Sequence, residues 1–226
     1  MMKLKKKFIF TMVFLPAVML SFMGSGPFGP LTCPGPTMDI WEATLEEFEA
    51  GAASMKSTEL TNGEHWVNLD VREDEWPSDC FERIAAVLKQ NPYKSSKIFM
   101  KDKKIADTLS ALPEKAFENC KGQLFSLHLP LQITCIGKRA FAGFTGLGHV
   151  EIGAQIKEVG DEAYKDCTGG RIFIYYIPEK MGKNVFEGWT DKQRFEVNFE
   201  RGILPTGWDE DWASGCKADI KYKGEH

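Results

Sequence analysis

Past its first 26 residues the 226-residue chain contains no apolar run long enough to cross a bilayer as a helix, which takes about 20 residues. Its four histidines, at 65, 128, 149 and 226, form no His-x-x-x-His or His-Glu-x-x-His pattern. Its six cysteines, at 33, 80, 120, 135, 167 and 216, include no Cys-x-x-Cys. Neither set offers zinc spacing, and nothing else in the sequence calls for a cofactor. There is no Gly-x-Ser-x-Gly elbow, and the Gly-rich GFTGLG (143–148) lacks the Lys-Ser/Thr of a phosphate loop. No cysteine falls into a set with His and Asn/Asp. The chain therefore reads as non-catalytic. It has no basic excess either. The formal charge is −4, and four lysines sit in the first seven residues, so without them it is −8. A nucleic-acid partner would require a clustered basic face, so none is expected.

What is present begins with a leader. MMKLKKK is a basic segment, Phe8 to Met23 is apolar, and Gly24 to Gly26 supplies small residues for cleavage. This is the order of a secretory signal peptide, here 1–26. Export would permit disulfides. Cys33 does not fit a lipidation box, because Leu31 stands at the wrong offset behind a Pro-rich spacer. Membrane attachment would run only through the leader or an anchor. Composition of the whole chain is globular, with 43% hydrophobic, 12% aromatic and 27% charged residues.

A short word then recurs. IGKRAFAGF (136–144) has relatives in LPEKAFENC (112–120), VGDEAYKDC (159–167) and MGKNVFEGW (181–189). Aligned on Phe117, Phe141, Tyr164 and Phe186, they repeat every 24, 23 and 22 residues. Five positions earlier stand Leu112, Ile136, Val159 and Met181. One position earlier stand Ala116, Ala140, Ala163 and Val185. Three later stand Cys120, Phe144, Cys167 and Trp189. Between these words lie strand-like runs at 66–71, 97–100, 126–130, 149–153, 171–178, 194–199 and 218–222. This rhythm describes a right-handed solenoid in which each coil has a strand, a turn and a one-turn helical segment. The aromatic plugs the coil and the preceding small residue lets neighbouring backbones approach. In Ile136-Gly137 the Gly is expected to take the positive φ of a tight corner. Cys120 and Cys167, two coils apart, are expected as buried free thiols.

These residues resemble the BspA-like, or treponemal-type, leucine-rich repeat: apolar-Gly-x-x-Ala-Phe-x-x-Cys followed by a Leu/Ile strand ending in Pro. LPTGWDEDWASGC (204–216) is similar to the Trp-rich segment that closes such arrays. The resemblance runs over about 60–222 and is tightest over 112–199. Phe144 and Trp189 depart from the Cys, and TGG (168–170) loosens one coil. It implies an α/β solenoid with a parallel sheet face, and a surface or secreted adhesin-type protein.

The flanks complete the layout. Residues 27–36 form a Pro/Gly linker, 37–60 an N-terminal helical cap, and 61–226 the solenoid with a C-terminal cap over 200–226. The cap helix is expected over 37–54, with Thr37 or Asp39 as its N-cap and Ile40 or Trp41, Leu45, Phe48 and Ala52 on one stripe. A second helix is expected over 77–92, started by Ser78, faced by Phe81, Ile84 and Leu88 and stopped by Pro92. In GWDEDW (207–212), Asp209 and Asp211 could join a calcium site, but the reading adopted packs Trp208 and Trp212 over the last core layer. Period-2 alternation places Ser126, His128, His149, Glu151, Ile174, Tyr176, Glu196 and Asn198 on the outward strand face. These are the candidate binding residues for a protein or glycan ligand on host matrix or other cells. A cell-envelope scaffold with partners from the same organism is the alternative.

Overall fold

The structure is a computed structural model that describes residues 39–50, 65–89, 94–105, 109–167 and 169–225. The leader, the linker and Cys33 lie outside the described residues. Eight strands of one face run parallel: β1 (Asp39–Thr44), β2 (His65–Asp70), β3 (Lys94–Met100), β4 (Gln123–His128), β5 (His149–Glu151), β6 (Arg171–Ile174), β7 (Arg194–Val197) and β8 (Asp219–Lys221). They form two ladders, β1 to β4 and β5 to β8, each in chain order. A parallel neighbour can be reached only by a long return path. Here the return path is the rest of each coil, so the chain winds as a parallel solenoid. Val67, Leu69, Ile98, Met100, Val150, Ile172, Phe195 and Val197 alternate inward and are buried.

The repeated word builds the other sides of the coil. Ala111–Leu112, Cys135–Ile136, Glu158–Val159 and Lys180–Met181 pair in parallel as a second, narrow ladder. Its apolar members, Leu112, Ile136, Val159 and Met181, are buried. The anchor aromatics then stack. Phe117 and Phe141 lie 5.3 Å apart, Phe141 and Tyr164 5.1 Å, and Tyr164 and Phe186 5.8 Å, with planes within 15°, 2° and 6° of parallel. Around them, backbone amides donate to the next coil: Phe117 to Ala140 O at 2.7 Å, Phe141 to Ala163 O at 2.8 Å, and Tyr164 to Val185 O at 2.9 Å. Because these amides bond across coils, the segment is a pair of hydrogen-bonded turns and not the one-turn helix expected.

The glycine of the word acts differently from expectation. Gly137 does not take a positive φ. The left-handed corners fall two residues later, at Lys115, Arg139, Glu162 and Asn184, with φ of 58°, 57°, 55° and 51°. A Cβ on Gly137 would meet Leu112 O at 2.6 Å and Glu114 N at 2.8 Å. Glycine is therefore required by the closeness of the coil below. Gly160 repeats the arrangement, with Lys138 N at 2.7 Å.

The ends differ from the middle. Asp39–Thr44, expected as helix, is strand β1. It pairs with β2 from Asp39↔His65 to Thr44↔Asp70 and covers that sheet edge. An open edge of unpaired backbone groups outweighs the local helical pattern. Among the described residues of the expected span, the helix is α1 (Leu45–Glu49), which Thr44 and Glu47 start with a reciprocal capping box. Of the expected stripe, Leu45 and Phe48 are buried. Residues 51–60 lie outside the described residues. Helix α2 (Cys80–Lys89) occupies the expected second site and buries Phe81, Ile84 and Leu88, together with Cys80 and Ala85. Arg83 on α2 bonds to Glu49 and Glu46 of α1 at 2.5 and 3.4 Å. At the other end, Trp212 packs edge-on to Phe186 and Phe195 at 6.0 and 5.8 Å, and Trp208 Nε1 donates to Pro178 O at 2.9 Å. Asp209 Oδ1 accepts from Asp211 N at 2.9 Å. This end is an aromatic plug over the last coil.

Cys80, Cys120, Cys135, Cys167 and Cys216 are free thiols. Burial pushes Cys80, Cys120 and Cys167 up to about 12. In the unfolded chain they ionise near 9.0. The folded state thus holds its protons longer, and the contribution these thiols make below pH 9 is lost between pH 9 and about 12. Denaturant titrations across that window are expected to show falling stability, less steep when the three are changed to Ala. Gly160→Ala is expected to cost about 1–3 kcal/mol in the same assay, because backbone and not a side-chain tip meets the new methyl group.

Candidate functional site: the outward sheet face and its cleft

The two ladders of the sheet meet at β4 and β5, where the join is a single bridge, Leu124↔Leu147. Leu124 N donates to Gly146 O at 2.9 Å, and Gly148 N to Leu124 O at 2.8 Å. Glycines make this pinch: a Cβ on Gly146 would lie 2.0 Å from Gly122 O. Toward its C-terminal end β4 runs into Leu129-Pro130, and Pro has no amide to extend a ladder. The strands there flank a cleft of about 310 Å³. Leu127 and Leu129 line it from the β4 coil and Val150 from the β5 coil, with the buried rings of Phe141 and Tyr164 also in its wall. Ser126, His128, His149 and Tyr176 line it as well.

Four of the eight sequence-derived candidates are therefore brought together. Ser126 is only 4% exposed, and its Oγ lies 3.1 Å from His128 Nε2. The His128 ring stacks on Phe99 at 4.2 Å and 8°. His149 stacks on Phe125 at 5.4 Å and tilts against Phe173 at 5.1 Å. Tyr176 is 57% exposed. Glu151 pairs through its backbone with Phe173. Glu196 and Asn198 lie farther along the face, outside the cleft lining. Glu196 is ion-paired with Arg194, and Asn198 Nδ2 donates to Tyr175 O at 3.2 Å.

Ile174 does not belong on this face. It is 0% exposed and points into the core with Ile172. IFIYYI is apolar in both registers, so alternation alone cannot phase it. Pairing settles the phase: Ile172 aligns with Val150 and Phe195, and Ile174 with Val197, all inward. The outward residues of β6 and its extension are Phe173 and Tyr175, stacked at 5.5 Å and 1°. Trp66, Phe99 and Phe125 were likewise not among the candidates, although all three stand on the ring-bearing face. Lys97 Nζ lies 4.6 Å from the Trp66 ring centroid and 5.8 Å from that of Phe125. The face thus carries two runs of contacting rings, Trp66–Phe99–His128 and Phe125–His149–Phe173–Tyr175.

Residues 89–200 match, in 6 copies, the family described as BspA type leucine rich repeat region. The chain belongs to the BspA-type leucine-rich-repeat family. Neither a curated protein nor a solved structure matches it at a significant level. Within this BspA-type chain the match starts at the last residue of α2 and runs past β7. Strands β1 and β2 and the Trp plug lie outside the matched residues. The repeats of this family are generally non-catalytic interaction modules. Among the described residues no three His, Cys, Asp or Glu side chains gather as a metal site, and no helix is long and apolar enough to cross a membrane.

The corrected phase of β6 has a direct consequence. Ile174→Ala is expected to lower stability by about 2–5 kcal/mol through lost burial and a cavity. Phe173→Ala, one residue earlier on the half-buried outer row, is expected to cost about 1 kcal/mol. Equal losses in urea unfolding would refute the assigned phase.

Proposed function

We propose that the protein is an exported binding module of adhesin type, which engages a protein or glycan through the outward face of β4 to β7. The observation that carries this reading is the chain of contacting rings on the solvent side of the sheet. Ring-bearing residues Phe125, Tyr175 and Tyr176, with Ile177 beside them, stay exposed where a face with no partner would be polar. Aromatic side chains dominate binding energy at protein interfaces. Solenoids present their sheet to partners, and proteins of this family are typically surface-exposed or secreted. The basic and apolar leader supports export. A second reading, an envelope scaffold, has its own support in the exposed Ile203 and Leu204 beside the C-terminal plug.

The test measures saturable binding of the purified chain to a panel of matrix proteins and glycans. Beside it runs the variant carrying Phe173→Ala, Tyr175→Ala, Glu196→Ala and Asn198→Ala. The expected result is binding by the parent, weakened at least about tenfold in a variant that still melts cooperatively. Binding unchanged in the variant would move the site off this face. No binding to any panel member, with capture of envelope proteins from the producing cell through Ile203 and Leu204, would favour the scaffold.

A further inference from the structure

We propose that the cleft between β4 and β5 receives one hydroxyl- or indole-bearing aromatic side chain, Tyr or Trp, presented by an extended acidic segment of a protein partner. This rests on the sheet-face reading above and names its ligand.

The volume, about 310 Å³, is at the lower end for ligand pockets and suits one large side chain. Leu127, Leu129, Val150 and Ile156 give it aliphatic walls, and Ser126, His128, His149 and Gln155 bring polar atoms to it. A pyranose carries hydroxyls around its whole rim, and those turned to the aliphatic walls would be left without partners. An aromatic ring has no such cost and gains dispersion on every side.

One polar group stands among the buried rings at the back of the cleft. Tyr164 stands in a column otherwise filled by Phe117, Phe141 and Phe186, so packing alone does not require its hydroxyl. The residue is 3% exposed and lines the cleft. Among the described residues its phenolic oxygen makes no hydrogen bond, and it is not one of the fully buried unpartnered atoms, so it is open to a partner in the cleft. Burial pushes its ionisation far upward, so it stays a neutral hydroxyl that can donate to a phenol or accept from an indole N–H. A Tyr or Trp ring entering the cleft brings the missing polar atom, which Phe does not.

The rim sets the flanking chemistry. Lys97 pairs with Ser126 on one side of the gap, and His149, Arg171 and Arg194 form one cross-strand row on the other. Ser126 stands beside Lys97, and His149 beside Arg171, at the two lips of the opening. Arg194 is already paired with Glu196, whereas Arg171 makes no ion pair among the described residues. Glu151 stands two positions along from His149, paired with Phe173. In an otherwise acidic chain, this lip favours a carboxylate next to the inserted ring.

The probe is a random dodecapeptide display library selected on the full chain, followed by soluble labelled copies of the recovered peptides. The expected consensus is Tyr or Trp adjoining Asp or Glu. Two variants report on the cleft. Tyr164→Phe keeps the ring column and should weaken these peptides about three- to tenfold, the loss of one hydrogen bond. Leu131→Glu, at a rim position that is 61% exposed and so safe for folding, should weaken them at least about tenfold. A library that returns no aromatic–acidic consensus overturns the proposal, as does a consensus indifferent to both variants. Consensus peptides lost in the Phe173/Tyr175/Glu196/Asn198 variant but retained by both cleft variants also overturn it, and leave the sheet-face reading intact. Saturable binding confined to glycans would do the same.

Discussion

Backbone hydrogen bonding from one coil to the next is the constraint on which the molecule depends. A coil closes some turn bonds within itself, such as Glu118 N to Lys115 O, but its strand, its narrow rung and its anchor amides point along the axis and need the neighbouring coil. Phe117, Phe141 and Tyr164 each donate to the coil that follows. That spacing of about 4.8 Å between backbones then dictates the side chains. Aromatic rings at one column fall at stacking distance, the column before them must be small, and a glycine must stand where a Cβ would strike the backbone beneath. The repeated word is what this geometry leaves available.

The ends obey the same constraint in reverse. At the N-terminal side β1 supplies a partner for β2, and α1 and α2 lie beside it with Arg83 joined to Glu46 and Glu49. At the C-terminal side β8 pairs with β7, Trp212 covers Phe186 and Phe195 edge-on, and Trp208 packs on Phe199 and Trp212. Both ends continue the ladder; the C-terminal one also seals the core with tryptophans.

Much of this is written locally and was readable. The column of Phe117, Phe141, Tyr164 and Phe186 announces the coil, and the alternation of HVEI and RFEV announces strands with one buried side. What was not readable depends on neighbours. Asp39–Thr44 has a helical stripe in isolation and becomes a strand because an unpaired edge lies beside it. Gly137 looks like a corner, yet its role is set by Leu112 O in the preceding coil. Ile174 and Tyr175 are both apolar enough to face inward, and only pairing with Val197 decides between them. For the candidate site, Ser126, His128, His149 and Tyr176 could be placed on a face by counting. That they meet at an opening could not, because the opening is a mismatch between two adjacent coils and belongs to neither word.

The rings of Phe141 and Tyr164, one from each coil beside that opening, form the closest and flattest contact of the aromatic column, at 5.1 Å and 2°. On the narrow side the rungs Cys135–Ile136 and Glu158–Val159 stay joined. The protein therefore parts on one side only, like a book opened flat while its binding holds. Its pages can take up different sequence at the gap without the spine registering the change.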